Sequence, residues 1–272
     1  MHTSVCAGAR YSDPDERTLR LRRRLISALV LALVAAFVGL LIGTVGVGGV
    51  LMVSYLALFA GLTIHQAAAT SLFTFLFTGI LGTWLYQRRR SIDWRISLPV
   101  CAAALVCGFL GAALAAIIDP RPLAIIIALV IVGGGIYILV PIRTTGQNRD
   151  GRGPRERLLL ASVGAASGFG SGFSGAGGPL FCVPLMVILG YVPLTAVATS
   201  QVLQIVAATS GSIENLRHGF IDFRIASVVT IFELAGLILG VRLAHIASAL
   251  VLRRLAGALC VVTGGLLLAR SL

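Results

Sequence analysis

Residues 43–49 read GTVGVGG, and residues 172–178, which lie 129 positions later, read GFSGAGG. Each stretch lies inside a long apolar run, the first over 25–62 and the second over 158–191. Glycine in a helix interior costs about 1 kcal/mol relative to alanine, so four glycines among seven residues predict a break in the helix. Pro179, directly after the second stretch, suits the first position of a new helix. We therefore expect two helices that are each broken by a glycine-rich segment.

The composition around these stretches is that of a membrane protein. Hydrophobic residues make up 57% of the chain and charged residues only 12%, whereas a soluble domain carries about 25% charged residues. Further apolar runs, each close to the ~20 residues that cross a bilayer, cover 66–86, 96–118, 123–140, 195–213, 225–246 and 251–268. The sequence thus predicts an all-α integral membrane protein with two homologous halves of about four transmembrane helices each. Each half opens with a glycine-broken helix.

The two halves match without gaps at the offset of 129 residues. Besides the glycines, the matched positions are Ala67, Ala69, Thr70 and Ser71 with Ala196, Ala198, Thr199 and Ser200, and Ile92, Asp93 and Arg95 with Ile221, Asp222 and Arg224. Such polar and glycine matches do not arise by chance between apolar segments, so they indicate a duplication, which is typical of secondary transporters. We divide the chain into a flexible cytoplasmic tail (1–24), a first membrane repeat (25–142), a polar linker (143–157) and a second membrane repeat (158–272).

The net charge of +12 comes with arginine as the only strongly basic residue. These arginines lie between apolar runs and form no basic face, which argues against a nucleic-acid partner. If each broken run crosses the membrane once, one side, the cytoplasm, collects both termini and every Arg-rich segment: 20–24, 88–95, 143–157, 217–224 and 270. Alternatively, each broken run is a hairpin that enters and leaves the same face, which gives odd crossing numbers and inverted halves.

The breaks are the first candidate binding site. An unpaired backbone amide costs several kcal/mol in the bilayer, so irregular backbone persists only where it lines protein or a watery cavity. A helix that restarts there also directs the positive end of its dipole at the cavity, which suits an anion without any basic side chain. Close helix packing by small residues is the alternative. The candidate residues are Gly46, Gly48, Gly49, Ser174, Gly175, Gly177 and Gly178.

Hydroxyl and amide side chains follow each break. Thr70 and Ser71, and their counterparts Thr199 and Ser200, lie early in the next helix, where their hydroxyls can donate to the oxygens of an anion. Gln201 and Gln204 add amide donors. The alternative for each hydroxyl is a hydrogen bond back to a carbonyl of its own helix.

Glu233 lies deep inside the apolar run 225–246. A carboxylate at that depth is costly, and such residues mark ion or proton pathways. We expect Glu233 to carry a proton, and we note that its counterpart in the first half is Ala104. A neutral carboxylic acid bonded to a neighbouring helix is the alternative.

Several other classes of protein are disfavoured. The sequence contains no Walker A motif, no HExxH motif and no Cys/His metal spacing, so we expect neither ATP hydrolysis, nor a metal, nor another cofactor. Four of the five cysteines lie in apolar runs and act as small hydrophobic residues. We do not expect an enzyme.

The paired glycine segments, the Ala-x-Ala-Thr-Ser stretches and the Ile-Asp segments together resemble the TauE/SafE family, known as sulfite exporters. The resemblance implies a bacterial inner-membrane protein that exports sulfite, sulfoacetate or related organosulfur anions, driven by a proton or sodium gradient. The first half departs from the pattern, because Val50 and Tyr55 stand where the second half has Pro179 and Pro184. Two other functions stay open: an uncoupled anion channel, and a non-transporting membrane partner that assembles or regulates an enzyme.

Overall fold

The computed structural model describes residues 14–46, 48–140, 153–244 and 250–272. This part of the chain is helical and contains no strand. The helices are α1 (Pro14–Val45), α2 (Gly49–Leu58), α3 (Ile64–Arg88), α4 (Trp94–Ile117), α5 (Pro120–Leu139), α6 (Pro154–Ser174), α7 (Pro179–Ile188), α8 (Pro193–Arg217), α9 (Phe223–Ala244) and α10 (Leu250–Ser271). Among them, α3, α4 and α9 are long and apolar enough to cross a membrane. The predicted all-α fold is confirmed.

Two predicted boundaries differ from the structure. Residues 14–24, expected in a flexible tail, form the start of α1, because this segment is rich in Arg and Leu, which favour helices. Residues 154–157, expected in the linker, form the first turn of α6, where Pro154 occupies the first helical position. The rest of the predicted tail (1–13) and linker (143–152) lies outside the described residues.

Both predicted interruptions are present, and the chain reverses direction at each one. A Cβ atom on Gly48 would lie 2.7 Å from the carbonyl oxygen of Val38, whereas a continuous helix would separate these residues by ~15 Å. At the second interruption, a Cβ atom on Gly170 would lie 2.7 Å from the Phe181 ring. Gly175 ends α6 in the left-handed conformation, with φ of 65°. Therefore α1 with α2 and α6 with α7 form two helical hairpins, which we call hairpin 1 and hairpin 2.

Helices α3 and α8 cross in antiparallel directions between the hairpins. The Gln204 side chain is hydrogen-bonded to the Phe75 carbonyl, 3.0 Å away. Further along α8, a Cβ atom placed on Gly211 would lie 2.5 Å from the Leu72 side chain. As the residue numbers rise along α8, the contacted numbers on α3 fall, so the two helices run in opposite directions.

The antiparallel arrangement places the ends of α3 and α8 on opposite sides of the bundle. Arg88 is the last residue of α3 and Arg217 is the last residue of α8. At one end, Arg89 and Thr195 line the same surface cleft. The prediction that all Arg-rich segments share one face is therefore wrong. It assumed that each broken run crosses once, whereas a hairpin returns the chain to the face from which it came.

Glycines allow each hairpin to approach a long helix at backbone distance. A Cβ atom on Gly39 of α1 would collide with the Glu233 backbone of α9, and one on Gly164 of α6 would collide with the Val100 backbone of α4. In each pair, a residue further along one helix contacts a residue further along the other. Helix α1 therefore runs parallel to α9, and α6 runs parallel to α4. Gly43 and Gly172 belong to these packing stripes, and there the packing interpretation holds.

Candidate functional site

The two interruptions meet each other in the middle of the protein. A Cβ atom on Gly49 would collide with the carbonyl oxygen of Ala176 and would lie 2.7 Å from the Phe75 ring. A Cβ atom on Gly177 would lie 3.3 Å from the same ring. Phe75 is halfway along the 25 residues of α3. The structure thus brings the two predicted segments together beside the middle of α3.

A narrow closed cleft of about 150 Å³ lies where the hairpins meet. It has no room for a water molecule in this conformation. Its lining contains no acidic or basic side chain and consists of Ile42, Gly46, Gly49, Phe75, Ala176, Gly177, Pro179 and Gln204.

Two short helices begin at this cleft. Helix α2 starts at Gly49 and α7 starts at Pro179, and each is 10 residues long. Pro179 has no amide proton, and the Leu51 and Leu180 amides donate to the Gly48 and Gly177 carbonyls. The amides of Gly49, Gly177 and Gly178 have no acceptor among the described residues, and the positive ends of both helix dipoles lie beside them. Gly46 and Gly177 have φ angles of 75° and 85°, which only glycine adopts without strain. Two helix N-termini that converge at a cleft whose lining holds no charged side chain suit an anion.

Two side chains donate hydrogen bonds to carbonyls at the C-terminal end of α1, which is the negative end of that helix dipole. The Tyr86 hydroxyl donates to the Gly43 carbonyl at 2.8 Å, and the Gln201 amide donates to the Ile42 carbonyl at 3.4 Å. Both carbonyls belong to the last turn of α1. The negative end of α1 is thereby partly neutralised beside the cleft.

Ser174 and Gly175 form the C-terminal end of α6, and both donate hydrogen bonds to carbonyls of that helix. The Ser174 hydroxyl donates to the Gly170 carbonyl at 2.6 Å and accepts from the Ala176 amide at 3.3 Å. The Gly175 amide donates to the Ser171 carbonyl at 2.9 Å. These contacts stabilise the end of α6. They also occupy the Ser174 hydroxyl and the Gly175 amide, which the sequence alone assigns to the anion.

The serine of each Thr-Ser pair lies against an interruption. The Ser200 hydroxyl lies 3.4 Å from the Cβ position of Gly46, and it donates to a carbonyl of its own helix at 2.7 Å. Ser71 is fully buried, and its hydroxyl has no partner among the described residues. It shares a face of α3 with Ala68, which contacts Gly175.

The threonines of these pairs contact neighbouring helices. The Thr70 hydroxyl accepts from the Asp222 amide at 3.1 Å, just before α9. The Ser97 hydroxyl of α4 lies 3.2 Å from the Thr199 hydroxyl. Each threonine therefore connects α3 or α8 to a helix of the other half, and the structure separates the threonines from the serines.

Both glutamines use their amide nitrogens inside the protein. Gln204 Nε2 donates to the Phe75 carbonyl at 3.0 Å and to the Thr78 hydroxyl at 2.7 Å, and Gln201 Nε2 donates to Ile42 as described. Neither Oε1 atom has a hydrogen-bond partner in the described part of the chain. In this conformation the two side chains thus offer acceptors, not the donors expected from the sequence.

Glu233 is fully buried on α9, and neither carboxyl oxygen has a hydrogen-bond partner among the described residues. The Thr74 hydroxyl faces the carboxyl group but donates to the Ser71 carbonyl at 2.9 Å. Because Thr74 precedes Phe75, the carboxyl group lies beside α3 at the depth of the cleft. A charged carboxylate in such surroundings costs several kcal/mol.

Sequence reasoning missed Phe75, which both hairpins contact. A single phenylalanine in an apolar run carries no signal by itself. However, Phe75 and Gln204 occupy matched positions at the offset of 129 residues, and they face each other across the α3–α8 contact. The first half has an aromatic side chain where the second half has an amide, and this difference at matched positions could have indicated both residues.

Comparison with known proteins supports a transport role. A model of the family described as Sulfite exporter TauE/SafE matches residues 29–268. The probable membrane transporter protein YunE of Bacillus subtilis is 25% identical over 213 residues, covering 68% of this chain and 78% of that protein. A probable membrane transporter protein of Methanocaldococcus jannaschii is 24% identical over 228 residues, covering 75% of this chain and 82% of that protein. No solved structure matches the chain.

Proposed function

Because this chain belongs to the sulfite exporter TauE/SafE family of membrane transporters, we propose that it moves sulfite or small organosulfonates across the membrane. The observation that carries this proposal is the meeting of two helix N-termini at a cleft without charged side chains. Backbone amides and helix dipoles hold an oxyanion there more weakly than a buried arginine would. The anion can therefore also leave.

The closed cleft supports alternating access as the mechanism. Hairpin 1 and hairpin 2 touch at Gly49 and Ala176, so the anion reaches the amides only when this contact opens. In this proposal, opening toward one side and then toward the other exposes the same site alternately. Glu233, at the depth of the cleft, takes up a proton on one side and releases it on the other, which couples the movement to an ion gradient.

We also propose two inverted halves, each made of one hairpin and three crossings. The contacts of Gly48 with Val38 and of Gly170 with Phe181 support the hairpins. So does the length of α2 and α7, since 10 residues span ~15 Å of a hydrocarbon core that is ~30 Å thick. Matched helix starts at Ile64 and Pro193 support the duplication. Six crossings leave both termini on one side of a bacterial inner membrane, and we assign that side to the cytoplasm.

Chemical labelling tests this topology at two matched positions. Arg88 and Arg217 are the last, exposed residues of α3 and α8. Arg88→Cys and Arg217→Cys are each made in a background without the native cysteines. We expect a membrane-impermeant maleimide to label one variant only in right-side-out vesicles and the other only in inside-out vesicles. Labelling of both variants in the same vesicle preparation would contradict inverted halves.

Reconstitution of the purified protein in liposomes tests the function itself. Uptake of sulfite, sulfate, sulfoacetate, taurine and thiosulfate is measured with and without a pH gradient and a sodium gradient. We expect sulfite or a sulfonate to accumulate only when one of the gradients is present. Flux that no gradient enhances would indicate an uncoupled channel. Absence of flux for every anion would favour a non-transporting membrane partner and would end the exporter proposal.

A further inference from the structure

The amide of Gln204 is fixed in one orientation at the edge of the cleft. A backbone carbonyl can only accept a hydrogen bond, so the Gln204 atom that faces the Phe75 carbonyl must be the nitrogen. The second acceptor, the Thr78 hydroxyl, uses its own proton toward the same carbonyl at 3.2 Å. These contacts exclude a flipped amide. Oε1 is therefore the polar side-chain atom of Gln204 that stays available to a ligand.

This oxygen is a buried acceptor without a donor. Gln204 is 1% exposed, it lines the cleft, and Oε1 has no hydrogen-bond partner in the described part of the protein. Leaving such an acceptor unpaired costs about 1–3 kcal/mol. Ser71 and Ser200 do not impose the same condition, because a hydroxyl can rotate and either donate or accept.

The cleft consequently offers two kinds of group to a bound anion. The amides of Gly49, at the start of α2, and of Gly177 and Gly178, just before α7, donate to its oxygens, whereas Gln204 Oε1 accepts. A fully deprotonated anion such as the sulfite dianion has no proton to donate. One of its oxygens would therefore face Gln204 Oε1 without a hydrogen bond, and the two oxygens would repel each other. The dianion also brings a second negative charge into a lining that holds no basic side chain.

We propose that the site selects sulfur monoanions that carry a hydrogen-bond donor of their own, and that Gln204 recognises this donor. Hydrogen sulfite and hydroxyalkanesulfonates belong to this class, whereas the sulfite dianion and simple alkanesulfonates do not. The proposal rests on the proposed function and names the substrate class of the same cleft. A site built to pair with a ligand hydroxyl rejects the analogue that lacks it, because the polar group of the site then stays buried and unpaired.

Ligand binding to the purified full-length protein in nanodiscs tests this proposal. Isothermal titration compares isethionate, which is 2-hydroxyethanesulfonate, with ethanesulfonate, which lacks only the hydroxyl. We expect isethionate to bind about tenfold or more tightly to the wild type, as one satisfied buried acceptor allows. In Gln204→Met, which removes the acceptor at similar volume, the ratio of the two affinities falls to near one.

Two controls keep the outcome decisive. Asn215→Leu removes another buried amide of α8, whose nitrogen bonds only within that helix, and this variant retains the preference for isethionate. A pH series on the wild type needs no variant. Protonation of Glu233 affects the binding of every anion alike, so sulfite affinity falls more steeply than ethanesulfonate affinity as hydrogen sulfite loses its proton. Equal affinities of isethionate and ethanesulfonate, or a sulfite affinity that follows pH in the same way as ethanesulfonate affinity, overturn the selectivity proposal alone. Absence of binding by every sulfur anion overturns the proposed function with it.

Discussion

Replacing Glu233 with glutamine abolishes the accumulation of substrate that a pH gradient drives in liposomes and reduces it to the level without a gradient. Glutamine keeps the size of the side chain and its polar groups but cannot bind and release a proton. Glu233 is fully buried, with both carboxyl oxygens unpartnered within the described structure. Among the described residues no hydrogen bond or ion pair holds this carboxyl group, so we expect the fold to tolerate the change. Exchange of substrate at equal pH on both sides continues in the variant.

Glu214→Gln is the matched control for this experiment. Glu214 lies near the end of α8, where Arg217 and His218 are 3.4 Å and 3.3 Å from its carboxyl oxygens. Glu214 is largely buried while Arg217 and His218 are exposed. Glutamine has the same size and can still accept their hydrogen bonds, so this variant accumulates substrate like the wild type. If Glu233→Gln also accumulates substrate in response to the pH gradient, another group carries the proton or the coupling ion is different.

Replacing Gly49 with alanine lowers the transport rate by about tenfold or more, since overpacking a buried contact costs about 1–3 kcal/mol. The added methyl group collides with the Ala176 carbonyl of hairpin 2 and lies 2.7 Å from the Phe75 ring. It therefore separates the hairpins where α2 begins and shifts the amides that we assign to the anion. Initial rates of sulfite uptake, normalised to protein in the liposomes, measure the effect.

Gly133→Ala serves as the control for the Gly49 variant. Gly133 lies in α5, and no atom of the described residues on other elements lies within 4 Å of its Cβ position. Alanine there adds a methyl group without a collision and also favours the helix, so transport stays at the wild-type rate. If both variants transport alike, the contact between the hairpins has no role in the transport cycle.

The glycine density of 43–49 and 172–178 was sufficient to predict where the helices break. Backbone conformation depends on local residue type, and a helix interior does not tolerate four glycines among seven residues. The direction of the chain after each break could not be predicted in this way. Reversal depends on contacts such as Gly48 with Val38 and Gly170 with Phe181, which are not encoded in the hydropathy pattern. The predicted sidedness of the Arg-rich segments failed for the same reason.

For the candidate side chains too, residue type predicted some features of the site, whereas others depend on contacts between helices. Residue type identified Glu233 and Gln204 as unusual in an apolar helix, because a buried polar group is costly there. Residue type could not tell which atom of Gln204 stays unpaired, since this follows from the Phe75 carbonyl on another helix. It also could not separate Ser71 from Thr70, which lie on different faces of α3 and contact different neighbours.

The amide resonances of the glycines test the central claim most directly. In protein labelled with ¹⁵N-glycine, sulfite is titrated against an equal concentration of chloride, and the signals of the glycines at the breaks are followed. We predict saturable sulfite-dependent shifts at Gly48, Gly49, Gly177 and Gly178, with no change at Gly61 and Gly133, whose Cβ positions have no neighbouring atom within 4 Å. If the break glycines do not respond, or if all glycines respond alike, the anion does not bind at the meeting point of the two hairpins.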